Sequence, residues 1–244
     1  MFPIQTSVVR RHPPVVTWYL IGLNVAFFLM ELAMPPAARE QLVHVLGIVP
    51  QWFTDPEAAR AAGLPGPPWW GLLTSTFLHG GFLHVFGNMW TLWLFGQYVE
   101  DRMGPLRFLL FYLVCGVGAG IVHVSVMADS TVPAIGASGA IAGVMAAYYL
   151  MFPLSRIVVM VPILFFPFFF EMPAWYFLGF WFLIQLFSGA FSLAAMPDAG
   201  GIAFWAHVGG FLVGLALTRP FLHAPRHPRA LQGDEGVHFS AWQR

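Results

Sequence analysis

The chain has 244 residues with 11 basic and 11 acidic side chains, so its net charge is zero and nothing favours nucleic acid as a partner. Hydrophobic residues make up 58% and charged ones only 9%, with a mean hydropathy of +0.71. A water-soluble domain carries roughly a quarter of its residues charged, which excludes that class here. Cys115 is the only cysteine, which excludes an internal disulfide and a multi-thiolate metal centre.

Residues 1–14 form a short N-terminal segment that carries Arg10-Arg11. The first apolar run, Val15–Ala33, is long for the apolar core of a cleaved signal peptide, about 7–15 residues, and is expected to stay as a first helix. Residues 34–78 then make a long loop rich in Pro, Gly and Trp, with Pro65-Gly66-Pro67-Pro68-Trp69-Trp70 suited to lie in an interface. A helix needs about 20 apolar residues to cross the hydrocarbon core. Phe82–Val99, Leu106–Met127, Ala174–Leu193 and Gly201–Leu217 qualify, and Ala137–Phe152 is a shorter, Ala- and Gly-rich candidate stopped by Pro153. The run 157–170 is intensely apolar but short and broken by Pro162 and Pro167; it is expected to be an interfacial or re-entrant link. The expected fold is therefore all-α, a membrane bundle of six helices over 15–219, with a cytoplasmic segment 1–14 and a cytoplasmic tail 220–244.

Charge tests the count. There is no lysine. With the N-terminus inside and six spans, Arg10, Arg11, Arg102, Arg107, Arg156, Arg219, Arg226, Arg229 and Arg244 fall inside, and only Arg39 and Arg60 outside. That is the asymmetry of the positive-inside rule, and a seventh span would spoil it. An integral multi-pass protein of a bacterial inner membrane with both termini cytoplasmic is the expected setting.

Polar groups inside a bilayer are costly and ask for a reason. Asn24 and Gln185 are expected to act as interhelical glue, and His123 as a structural histidine. Three spans differ. His84 and Asn88 are four apart in the second, on one helix face. Gly136-Ala137-Ser138-Gly139-Ala140 opens the fourth. His207 stands in Ala206-His207-Val208-Gly209-Gly210 of the sixth. These three spans start on the outer face, so His84, Ser138 and His207 lie within roughly 10 Å of the outer surface at about 1.5 Å per residue. The pairs Gly139/Gly143 and Gly210/Gly214 also have the spacing of a close-packing seam, a structural role compatible with bringing Ser138 to His207.

Taken together, the stretch from Phe77 to Asn88, Gly136-Ala137-Ser138-Gly139 and Ala206-His207-Val208-Gly209-Gly210 resemble the motifs of the rhomboid family of intramembrane serine proteases. The segment Gly96 to Tyr112, with Glu100, Arg102, Gly104 and Arg107-Phe108, resembles the family as well, and the likeness spans about residues 15–219. The resemblance implies Ser138 as nucleophile, His207 as general base, and His84, Asn88 and the Ser138 backbone N–H as oxyanion donors. It implies a supporting role for His79, Gly136, Gly139, Gly210 and Gly214. Two departures stand out: Trp70-Gly71 replaces the family's frequent Trp-Arg, and Ala142 replaces an aromatic that packs on the histidine, so another residue must orient the His207 ring.

Peptide hydrolysis needs a nucleophile, a proton acceptor and a place for the oxyanion. No Asp or Glu lies in the second, fourth or sixth span, and Asp129 and Asp198 are in loops, so a Ser–His dyad is expected rather than a triad. No cofactor or metal is called for. The expected partners are the lipid bilayer and transmembrane protein substrates that unwind near their outer ends, since an intact helix hides its backbone. An inactive relative would be expected to lose Ser138 or His207, and both are present. A transporter would need ionisable groups near mid-membrane, where these spans are apolar. A metalloenzyme would need better ligand spacing than His79 and His84, five apart, and there is no His-Glu-x-x-His.

Overall fold

The computed structural model describes residues 2–163, 166–195 and 202–222. Gly201 at the start of the expected sixth span, Asp198, and residues 223–244 of the expected tail, with Arg226, Arg229 and Arg244, lie outside the described residues. Strand β1 (Phe2–Thr6) precedes helix α1 (Val15–Ala33), which has the bounds the hydropathy predicts. The α1 N-terminus has no side-chain cap of its own. The Glu100 carboxylate supplies one from far along the chain, accepting from Val16 N at 2.9 Å, Thr17 N at 2.8 Å and Thr17 Oγ at 2.7 Å. An anion placed on unsatisfied first-turn donors is favourable both as hydrogen bonding and against the helix dipole.

The long loop holds four short helices, α2 (Pro36–Leu46), α3 (Gln51–Thr54), α4 (Pro56–Ala61) and α5 (Gly71–Thr74), followed by a 3₁₀ turn at Ser75–Phe77. Trp70 Nε1 donates to Val45 O at 2.8 Å, anchoring the loop to itself. A Cβ on Gly71 would come within 2.6 Å of Gly47 O, so the glycine that replaces a larger residue lets two loop strands touch.

The expected second span is α6 (Phe82–Thr91), a π turn (Leu92–Gly96) and α7 (Gln97–Met103), running four residues past its expected end at Val99. Gly104, with φ of 79°, breaks it, and Pro105 opens α8 (Pro105–Val126). Then come α9 (Ser138–Met151), α10 (Ala174–Ala195) and α11 (Phe204–Phe221). By length and composition, Val15–Ala33, Pro105–Val126 and Ala174–Leu193 are able to cross a membrane, and Ser138–Met151 is a shorter apolar helix. The remaining expected spans fall short of that measure among the described residues.

Helix α9 is the centre of the bundle, buried without a break from Gly139 to Tyr148. It is gripped on two sides by small residues. A Cβ on Gly143 would lie 2.5 Å from Cys115 Cβ of α8, and one on Gly139 2.6 Å from Ala119 Cβ. On the other side, a Cβ on Gly210 would lie 1.9 Å from Gly139 O and one on Gly214 2.4 Å from Gly143 O. Two helix backbones in direct contact are possible only where side chains are absent. Outward-facing Leu83, Phe187 and Phe191 are highly exposed, as residues facing acyl chains would be.

The all-α expectation needs correcting. Arg156–Ile163 (β2) and Phe166–Pro173 (β3) form an antiparallel hairpin, and β1 adds to β2 in the order β1-β2-β3. The run expected to be a link is thus a sheet, and the lead-in segment is its third strand. The composition explains it: Ile157, Val158, Val159 and Val161 are β-branched and face a phenylalanine-rich strand. Pro162 pairs with Pro167, beyond the first pair of β1, Phe2 with Met160, so among the described residues Pro162 has a strand neighbour on one side only. The Tyr148 hydroxyl ties sheet to helix, bonding Thr6 Oγ1 and, at 2.9 Å, Ser155 Oγ. Trp90 Nε1 donates to Pro3 O at 2.7 Å.

Candidate active site

His84 is the third residue of α6, Ser138 the first of α9 and His207 the fourth of α11. Each sits in the first turn of its helix, so the three helices bring them to one level. The backbone contact between α9 and α11 then closes the gap: Ser138 Oγ lies 2.7 Å from His207 Nε2. This is hydrogen-bond distance with good length for O–H···N. The other ring nitrogen, His207 Nδ1, lies 2.7 Å from Gln185 Oε1 of α10. Trp181, one turn before Gln185, lays its ring against His207 with centroids 5.9 Å apart and planes at 33°.

Ser138 being the first residue of α9, its N–H belongs to the first-turn donors that have no acceptor within the helix. Gly136 just before it has φ of 125°, a conformation that favours glycine, and donates its N–H to Ser75 O at 2.9 Å. A Cβ there would lie 2.7 Å from His84 Nε2 and 3.7 Å from Ser138 Oγ. The bare Gly136 backbone therefore lets the His84 ring edge stand beside the serine. Gly80 N donates to His84 Nδ1 at 3.3 Å, which leaves the neutral His84 proton on Nε2, the atom beside Gly136. Asn88, one turn along on the same face, is buried, and its Nδ2 has no acceptor among the described residues.

His79 is buried with its ring edge-on to His84, centroids 5.1 Å apart. Its backbone N–H donates to Glu31 Oε1 at 3.2 Å, and Glu31 is itself buried near the end of α1. His123 lines a small hollow beside Ser138 together with Thr76, Gly136 and Ala206. Asn24, expected to bridge helices, donates to Leu20 O of its own helix at 2.8 Å, and its side chain also interacts with Tyr112 of α8. Among the described residues no group of three His, Cys, Asp or Glu side chains is close enough to hold a metal ion.

The structure thus brings together Ser138, His207, His84 and Gly136, with Asn88 on the His84 face. Sequence reasoning treated Gln185 only as glue and did not name Trp181 or Glu31. The available signal was a lone glutamine in a span of Phe, Leu and Trp, four residues after a tryptophan.

Long apolar helices around a half-buried serine and histidine define an integral membrane protein. The Rhomboid domain model matches residues 67–224, more than half of the chain, and the chain belongs to the rhomboid family. It is 39% identical over 80 residues to Rhomboid-like protein 11, chloroplastic, of Arabidopsis thaliana, covering 33% of this chain and 28% of that protein. It is 37% identical over 78 residues to RHOMBOID-like protein 6, mitochondrial, of the same plant, covering 32% and 25%. With the presenilin-associated rhomboid-like protein, mitochondrial, of Homo sapiens it shares 30% identity over 173 residues, 68% of this chain and 40% of that protein. The chain therefore spans less than half the length of these relatives.

Proposed function

We propose that this protein is an intramembrane serine endopeptidase that hydrolyses peptide bonds in or near transmembrane segments of other membrane proteins. The observation that carries the reading is the 2.7 Å contact between a helix-opening serine and a histidine from a second apolar helix. Membership of the rhomboid family points to the same chemistry.

In the resting site the Ser138 hydroxyl donates to His207 Nε2. As Ser138 Oγ attacks the scissile carbonyl carbon, Nε2 takes its proton, and it later returns the proton to the leaving amine. The carbonyl oxygen, now anionic, is held by the Ser138 N–H, by Asn88 Nδ2 and by His84 Nε2–H. The α9 dipole points its positive end at that oxygen. His79, Gly136, Gly139, Gly210 and Gly214 support the site by holding His84 and the two helices in place. The first step requires neutral imidazole, so activity falls in acid as His207 takes a proton.

The same reading sets the protein in its membrane. Six spans over 15–219, with 1–14 and 220–244 inside, put the described Arg10, Arg102, Arg107 and Arg156 at one end. Their contacts with Gln97, Phe152, Leu222 and Ser7 support this grouping. Ser138 begins α9 and the arginine end follows its last residue, so the site lies roughly 21 Å away, toward the outer face. A bacterial inner membrane is the setting this charge pattern fits best, and no cofactor takes part. Transmembrane substrates enter from the side and must unwind to expose a bond.

The direct test is covalent capture of the purified protein by an isocoumarin that reacts with activated serines. Labelling at Ser138 that disappears in His207→Ala supports the dyad. Labelling at full rate in His207→Ala would overturn it.

A further inference from the structure

We infer that Gln185 completes the catalytic arrangement as a positioning residue, fixing the tautomer and the orientation of His207 through its side-chain oxygen. The inference rests on the proposed role of His207 as general base.

A neutral imidazole carries its single proton on one nitrogen. To accept from Ser138, Nε2 must be bare, which puts the proton on Nδ1. Nδ1–H then needs an acceptor, because a buried donor left unpaired is costly, and more so beside lipid. Gln185 Oε1 stands 2.7 Å from Nδ1, and the residue is 7% exposed. The amide is placed from a third helix, α10, so ring orientation depends on the packing of α9, α10 and α11 together. Trp181, four residues earlier, is on the same α10 face as Gln185 and closes one side of the ring, at 5.9 Å between centroids.

An amide differs from the carboxylate found in soluble serine proteases. It accepts a hydrogen bond from Nδ1–H without a charge that would have to be buried in the bilayer. It also has a second face: turned over, its NH₂ would donate to a bare Nδ1 and fix the opposite tautomer, in which Nε2–H cannot take the serine proton. The side-chain oxygen is therefore the functional atom, and a substitution that keeps an oxygen separates from one that keeps only the shape.

The test uses full-length protein in liposomes with a model transmembrane substrate, comparing wild type, Gln185→Glu, Gln185→Met and Ser138→Ala. Gln185→Met should lower kcat by about 10–100-fold with KM nearly unchanged, less than the roughly 10⁴-fold loss when a charged triad member is replaced and the tautomer is wrong. Gln185→Glu, which keeps a side-chain oxygen able to accept from Nδ1–H, should recover most of that loss. Nitrogen-15 spectra of histidine-labelled protein, with the His207 signal assigned by its loss in His207→Ala, should show Nδ1–H in wild type and a growing Nε2–H form in Gln185→Met. A Gln185→Met enzyme with wild-type kcat, or one whose His207 keeps the Nδ1–H form, overturns the inference. Equal losses in the Glu and Met variants overturn it too, since they would point to shape alone. Cleavage by Ser138→Ala, or none by wild type, would instead sink the protease reading beneath it.

Discussion

Replacing Gly210 by alanine should separate the two helices that make the site. An added Cβ would stand 1.9 Å from Gly139 O, where ordinary contact begins at 3.4 Å, and the obstacle is backbone that cannot rotate away. The helices must part by about 1.5 Å at this point. Gly210 is one turn from His207 and Gly139 adjoins Ser138, so most of that movement is passed to the 2.7 Å Ser138–His207 contact. A displacement of about 1 Å can cost on the order of 100-fold in rate, and kcat for Gly210→Ala should fall at least that far. Gly87→Ala is the control, since a Cβ there meets nothing within 4 Å. Both variants would be assayed for cleavage in liposomes alongside thermal melting in detergent. A folded Gly210→Ala protein with wild-type kcat would refute the claim that backbone contact between α9 and α11 sets the catalytic distance.

Asn88→Ala should lower kcat by about 10²–10³-fold with little change in melting temperature, because it removes a donor whose use comes with the oxyanion; a loss in KM alone would count against that role. Glu100→Ala leaves three donors at the start of α1 without their acceptor, and should destabilise by on the order of 3 kcal/mol, read as a drop in melting temperature with activity per folded molecule retained. His79, in the loop before α6, is held at about 4 by burial and secondarily by the neighbouring His84, against an ordinary value of 6.5. Its folded-state value is depressed, so the unfolded chain binds the proton more readily and stability falls as pH drops from about 6.5 toward 4. The melting temperature of His79→Phe should be less sensitive across that window than that of wild type; equal sensitivity would remove His79 as a cause.

The parts of this molecule that were legible beforehand share one property: they violate their surroundings. Ser138, His84 and His207 are polar groups in apolar runs, and Gly139, Gly143, Gly210 and Gly214 interrupt runs of larger residues. Helix ends also announced themselves, as at Val15 and Pro153, although the end of the second span at Met103 lay past the expected Val99. What stayed hidden depends on distant partners. The strand character of 157–163 and 166–170 has no polar alternation to reveal it, because residues on both faces are apolar, and its neighbour β1 is about 150 residues away in the chain. Gln185 carries no motif, and its meaning emerges only when α10 packs against α11. Ala142 signalled that some other group must orient the histidine, yet nothing local could say which. The π turn at Leu92–Gly96 is likewise a packing outcome, with Gly96 pressed against Thr17 and Phe108.

The most direct measurement is cleavage of a model transmembrane substrate by the purified full-length protein in liposomes, compared with Ser138→Ala and His207→Ala prepared alike. Cleavage by wild type within the substrate's membrane segment or next to it, with none by either variant, is what the account predicts. Proteolysis that persists in either variant would contradict it.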